Sequence, residues 1–338
     1  MMRSLGISLI LVCALFCAAT TVRAGIPFTV EKVCPVGGEQ FSHTETASYS
    51  TWGSRPDGKP YGSWIFPFPL PECPTNKLVL YRDFAEDELE KLAALIASPQ
   101  YFALHEDTPY YRASWLAKRM DTKPEEQFNS LWLLMRAGWQ ADPMSERRAR
   151  YLREFAKSAG AIALEVNNLD TLFLRFRAGN AWRELGEFER ARTAISSLPK
   201  MQLDVTVPDR DSASRKERDD AQAKRYLFEQ IDPMLALIDA QNTSAEPITM
   251  IPEREAGLRC FEMEEEGKGP LPEACSKGKI AKTLEYARAA NRKDAKGEAH
   301  SPDRPDDCPE DSACAAAEAA AATVEALITT LDSETTPP

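Results

Sequence analysis

The chain is predicted to be mainly α, with a small turn-rich, β-containing unit ahead of a set of helical hairpins and a flexible C-terminal tail behind them. Three observations predict this. Gly, Pro, Ser, Thr and aromatic residues fill 25–75, apolar residues recur at helical spacing from 83 to about 241, and large apolar side chains become sparse after Asn242. The boundaries that follow are 1–24, 25–82, 83–241 and 242–338.

The first segment reads as a signal peptide. Arg3 supplies a short positive region, Leu5 to Cys17 is apolar, and Val22-Arg23-Ala24 places small residues where a signal peptidase reads. Lipidation at Cys17 is the competing reading, but Leu15-Phe16 puts a large aromatic where small residues are needed. Cleavage after Ala24 starts the mature chain at Gly25 and implies export, to the periplasm or outside the cell. No later stretch reaches the roughly 18 uninterrupted apolar residues of a membrane span, because Glu318 and Glu325 break the alanine-rich end.

In the second segment, Phe28 to Val33 and Ser63 to Phe66 are candidate strands, and Leu78 to Tyr81 a last one. Asp83 is placed to cap the first helix, whose Leu89, Leu92, Leu95 and Ile96 share a face. From Tyr110 to Leu198 the period stays helical. Its apolar groups are Trp115 with Leu116, then Phe128 to Met135, Tyr151 to Ala156, and Leu172 to Trp182, with Glu146 to Val166 reading as one long helix. Asp142-Pro143 and Asn167 to Asp170 punctuate the run. A further helix is predicted from Ser212 or Ala213 to about Ala240, with Pro233 expected to kink or interrupt it. After Asn242 only Leu258, Phe261 and Met263 are large and apolar among many Glu, Lys, Gly, Pro and Ala residues, so a low-complexity tail is expected. Ala315 to Leu331 has the composition of a terminal helix.

The formal charge of −11 becomes −13 once Arg3 and Arg23 leave, and no basic patch interleaved with aromatics occurs. Nucleic acid and anionic membrane surfaces repel such a chain at long range, so a protein or peptide is the expected partner. Removal of Cys13 and Cys17 leaves Cys34, Cys73, Cys260, Cys275, Cys308 and Cys314, an even set that reads as disulfides in an exported chain. Short loops lose least entropy on closing, which favours Cys260 with Cys275 and Cys308 with Cys314 and leaves Cys34 for Cys73.

Two resemblances bear on architecture. Ala181-Trp182-Arg183-Glu184-Leu185-Gly186-Glu187-Phe188-Glu189-Arg190-Ala191-Arg192 resembles the centre of a tetratricopeptide repeat, closed by Leu198-Pro199. Trp115 lies 67 residues before Trp182, close to two periods of about 34 residues. An ordinary helical bundle is the alternative, since the long helix from Glu146 breaks the array. Cys34-Pro35-Val36-Gly37-Gly38-Glu39-Gln40-Phe41 and Cys73-Pro74-Thr75-Asn76 resemble two zinc-ribbon knuckles, each lacking its second cysteine. Two such knuckles followed by helical hairpins resemble a bacterial family of unknown function, the DUF2225 proteins, over about Val30 to Lys200. That resemblance supplies no activity. The missing cysteines imply a Cys34–Cys73 disulfide in place of zinc; a metal would need His43 or His105 to complete the set.

No catalytic residue and no cofactor are expected. His-Glu-x-x-His, Gly-x-Ser-x-Gly, phosphate-binding and dinucleotide signatures are all missing. Glu262, Glu264, Glu265 and Glu266 lack the pattern of a calcium loop and read as a solvated charge run, and His300 as a solvated residue of the tail. A carboxylate pair for hydrolysis cannot be chosen among 52 acidic residues without geometry, which leaves a hydrolase or cell-wall-modifying enzyme as the alternative class. The candidate recognition residues are Tyr49, Trp52, Tyr61, Trp64, Phe66 and Phe68, spaced by Gly and Pro. They either line a groove for a peptide or glycan or form the core of a small domain poor in aliphatics. The leading expectation is an exported interaction module or scaffold, its helical hairpins offering a concave surface to a partner.

Overall fold

A computed structural model describes residues 26–141 and 145–295. Strand β1 (Pro27–Val33) pairs antiparallel with β2 (Gln40–Thr46), and β3 (Thr51–Ser54) with β4 (Pro60–Gly62). The register of the first hairpin sets Val33 opposite Gln40, so Cys34 sits at the head of its turn. Ser63 to Phe66 is not a strand, and Leu78 to Tyr81 contributes only a single bridge, Glu72 to Val79. Pro67, Pro69, Pro71 and Pro74 carry no N–H, so neither segment sustains a ladder.

Eleven α-helices follow among the described residues: α1 (Leu89–Ile96), α2 (Pro99–Phe102), α3 (Pro109–Met120), α4 (Asn129–Gln140), α5 (Glu146–Gly160), α6 (Leu169–Glu184), α7 (Phe188–Ser196), α8 (Lys200–Leu203), α9 (Arg215–Asp239), α10 (Glu253–Glu265) and α11 (Gly278–Ala295). Helices α3 to α7 each pack on the next, and α9 lies against α6, α7 and α8. Asp83 does not cap α1; the Glu88 carboxylate accepts from the Ala85 N–H at 2.8 Å at the start of the preceding 3-10 turn. Asn168 does cap α6, its Oδ1 accepting from the Asp170 N–H at 3.1 Å. Ser214 and Glu217 cap α9 reciprocally.

Helix α5 ends at Gly160, short of the expected Val166, and Thr171 captures the returning chain through the backbone of Glu165 at 3.0 Å. Pro233 does not interrupt α9, where Ile231, Met234, Leu237 and Ile238 are buried and hold the helix together past the missing hydrogen bond. Helix α6 is the central element. Every residue from Phe176 to Arg183 is buried, including Arg177, Asn180 and Arg183, and Gly186, at φ 74°, turns the chain into α7. Gly179 lets α7 approach so closely that a Cβ there would lie 2.5 Å from Ile195 Cδ1.

The expectation of a flexible tail from residue 242 is corrected over 248–295. Helices α10 and α11 form a closed pair with their own core of Ile248, Ile251, Ala256, Cys260, Cys275 and Leu284. Few large side chains are needed, because the Cys260–Cys275 disulfide closes the hairpin and Gly257 lets α11 approach. The remaining tail, with Cys308, Cys314 and the helix expected near Ala315, lies outside the described residues, as do the signal segment and Asp142-Pro143.

Candidate functional site: an aromatic double cleft

Cys34 and Cys73 are joined in a disulfide, as expected, and close two turns of matching design. The Cys34 N–H donates to the Glu39 carbonyl at 2.9 Å, and the Cys73 N–H to that of Leu78 at 2.8 Å. The Gly38 and Lys77 N–H groups return to the Cys34 and Cys73 carbonyls, both at 3.1 Å. Glu39 joins the turns by accepting from the Thr75 N–H at 3.0 Å and from its hydroxyl, and these bonds hold its carboxyl below the usual range. At the two positions where a ribbon carries its other cysteines, Asn76 donates to the Val36 carbonyl at 2.7 Å and Gly37 has φ 105°. A cysteine rarely adopts that backbone, so the first turn is not shaped to present a second thiolate there. The Glu39 carboxylate is the group that approaches the two sulfurs; neither His43 nor His105 completes a ligand set with them among the described residues.

The β3–β4 hairpin and the chain on either side of it carry the six aromatics, and none of the six is buried. Tyr49 is 49% and Trp52 43% exposed, and Tyr61, Trp64, Phe66 and Phe68 are half-buried. Of the six, Tyr61 also packs against the α10–α11 core. The six line two adjoining clefts of about 580 and 300 Å³ that share Trp64. Trp52, Tyr61 and Phe66 line the larger with Ile65, while Tyr49 and Phe68 line the smaller with His43. Tyr49, Phe66 and Phe68 pack edge to face or tilted, at centroid distances of 5.7, 4.9 and 5.2 Å, so the two walls form one surface. Burial pushes His43 below its ordinary range, which keeps its imidazole neutral at neutral pH, while Glu45 on the same rim pairs with Lys32 at 2.7 Å.

The larger cleft needs residues from the far end of the chain. Trp52 Nε1 donates to Glu255 Oε1 at 2.9 Å, the Arg254 guanidinium lies 5.6 Å above the Trp52 ring, and the Tyr61 hydroxyl donates to Glu246 Oε1 at 3.0 Å. Burial, with Glu246 beside it, raises the Tyr61 pKa far above the usual phenol range. Gly53, at φ 140°, is required here, because a Cβ would lie 2.4 Å from the Pro252 ring. The hairpin is anchored from below by buried charge. Arg55 pairs with Asp57, Asp57 also accepts from the Lys59 N–H at 3.0 Å, and Arg177 of α6 donates to the Pro56 carbonyl. Burial opposes ionisation of Asp57, but Arg55 outweighs it and the carboxyl stays low. Next to this anchor Arg148 pairs with Glu184 at 2.5 Å, and Arg183 donates to Asn180 Oδ1 at 2.8 Å and to the Asn242 carbonyl at 2.5 Å.

Chemically the surface offers aromatic faces on a braced frame. Among the described residues each carboxyl whose pKa is displaced is displaced downward. Sequence reasoning found the six aromatics as a group but missed Lys59, Ile65 and Glu255, which also line the larger cleft. Ile65 was legible as a neighbour of Trp64; no local signal marks Glu255. Comparison of the chain with protein-family models, with curated proteins and with solved structures found no match. No helix among the described residues is long and apolar enough to cross a membrane.

Proposed function

We propose that this protein is an exported, non-enzymatic interaction module that holds an extended segment of a partner protein on its aromatic double cleft. The observation carrying this reading is that six aromatics within twenty residues line two clefts joined at Trp64. Proline and aliphatic side chains of an extended peptide stack on such faces, and a pre-formed surface loses little entropy on binding. Two disulfides among the described residues, Cys34–Cys73 between two turns and Cys260–Cys275 between α10 and the 3-10 turn after it, support an exported destination such as the periplasm. The helical hairpins then serve as the frame, in the manner of tetratricopeptide units, and the paired turns ahead of them support common architecture with the DUF2225 proteins.

The test is a photo-crosslinking residue placed at Ile65, which is 45% exposed and lines the cleft, against one at Tyr286, which is 60% exposed on α11. A single protein captured from Ile65, not captured from Tyr286 and lost on Trp64→Ala, is the expected result. Capture of the same proteins from both positions would remove the cleft as the docking surface.

A further inference from the structure

A second cleft, unrelated to the aromatic surface, lies on helices α5, α6 and α7 and has a volume of about 520 Å³. Ala156, Gly160, Ala194 and the edge of Trp182 make a floor of small and apolar groups. A Cβ added at Gly160 would meet nothing within 4 Å, so the floor is open at that point. Lys157, Arg175 and Arg190 stand around it with one lining carboxylate, Glu189.

The charges are incompletely matched. Among the described residues Lys157 forms no ion pair, and the Arg175 guanidinium is held by neutral acceptors, Ser197 Oγ at 3.0 Å and the Ile162 carbonyl at 2.8 Å. Arg175 Nε is buried and meets no acceptor. Arg190 shares Glu187 with Arg153, at 2.6 and 3.5 Å. Three cations therefore line the cleft with one carboxylate, and Arg153 and Glu187 add one charge of each sign beside it, in a chain whose formal net charge is −11. Surface charges couple over a screening length of about 8 Å, so this local excess decides what docks here, not the distant acidic residues.

We propose that the α5–α7 cleft binds an acidic peptide segment of a partner, one in which aliphatic side chains alternate with Asp or Glu. The aliphatic groups cover the alanine and glycine floor, and the carboxylates take up the charge of Lys157 and Arg175. A nucleic acid is the poorer occupant. Trp182 is buried and capped by the Arg190 guanidinium 4.9 Å above its ring, so no aromatic face is free for a base.

The experiment uses the intact mature chain and a fluorescein-labelled peptide of repeating Glu-Leu-Asp-Leu, read by fluorescence anisotropy. Saturable binding is expected, weakening several-fold as salt rises from about 0.05 to about 0.3 M. Lys157→Glu reverses an exposed, unpaired charge, and Gly160→Leu fills the floor at an open helix end, so both variants should keep the wild-type circular dichroism. Each is expected to weaken binding by about tenfold. Lys282→Glu, the same charge change on α11, is expected to leave it unaltered. Three outcomes would overturn the proposal: no saturable binding up to about 100 µM, equal weakening by Lys282→Glu, or full displacement by inorganic polyphosphate at matched charge, which would mean an unspecific anion site.

Discussion

At the residue scale, the largest fully buried side chain is an arginine. Arg183 satisfies the Asn180 side chain and the Asn242 carbonyl and lies 3.9 Å from Glu184. Arg183→Met keeps its length but leaves those acceptors unpaired inside the protein. A loss of about 3 kcal/mol is expected in urea unfolding, most of it the penalty of the orphaned groups. Nothing local announces this residue, because helical periodicity registers apolar positions and an arginine on α6 reads as surface. A different signature belongs to Glu88, whose two oxygens accept from Arg82 at 2.6 and 2.8 Å and whose pKa falls from the ordinary 4.5 to about 2. A lowered carboxyl pKa stabilises the fold fully above the unfolded value and loses that contribution as pH drops through the folded one. The difference in urea midpoint between the wild type and Glu88→Gln should therefore be constant above a pH of about 5, shrink as pH falls, and disappear only below about pH 2.

At the scale of elements, chain proximity was enough to pair Cys260 with Cys275, yet the same passage was expected to be loose. Composition registers how many large apolar residues a segment has, not how little surface a cross-linked hairpin must bury. Ala256, Gly257 and Cys260 pack α10 on α11 with small groups that a hydrophobicity count passes over. Replacing both cysteines by alanine opens a loop with a sequence separation of 15, for which about 3 kcal/mol is expected from chain entropy. Amide exchange should quicken across α10 and α11 while α3 to α6 keep their protection. Helices α3 to α7 and α9 were readable from periodicity, with errors at the ends, whereas the single turn α8 was not. The N-terminal strands were readable in part: β1 was found, but β3 and β4 have too few alternating residues to register and are set by Gly53, Gly62 and the contacts beneath them.

For the whole molecule, the class and order of segments were legible, and so was the concentration of aromatics. The double cleft was not, because its geometry depends on partners far along the chain. The Trp52 bond to Glu255 spans 203 residues and the Tyr61 bond to Glu246 spans 185. That spacing has a consequence for how the protein is made. A chain emerging from a ribosome presents Trp52, Tyr61 and Trp64 early, and the residues that brace the first two follow 203 and 185 positions later. A product cut short before residue 246 would therefore carry all six aromatics without the bonds that brace Trp52 and Tyr61.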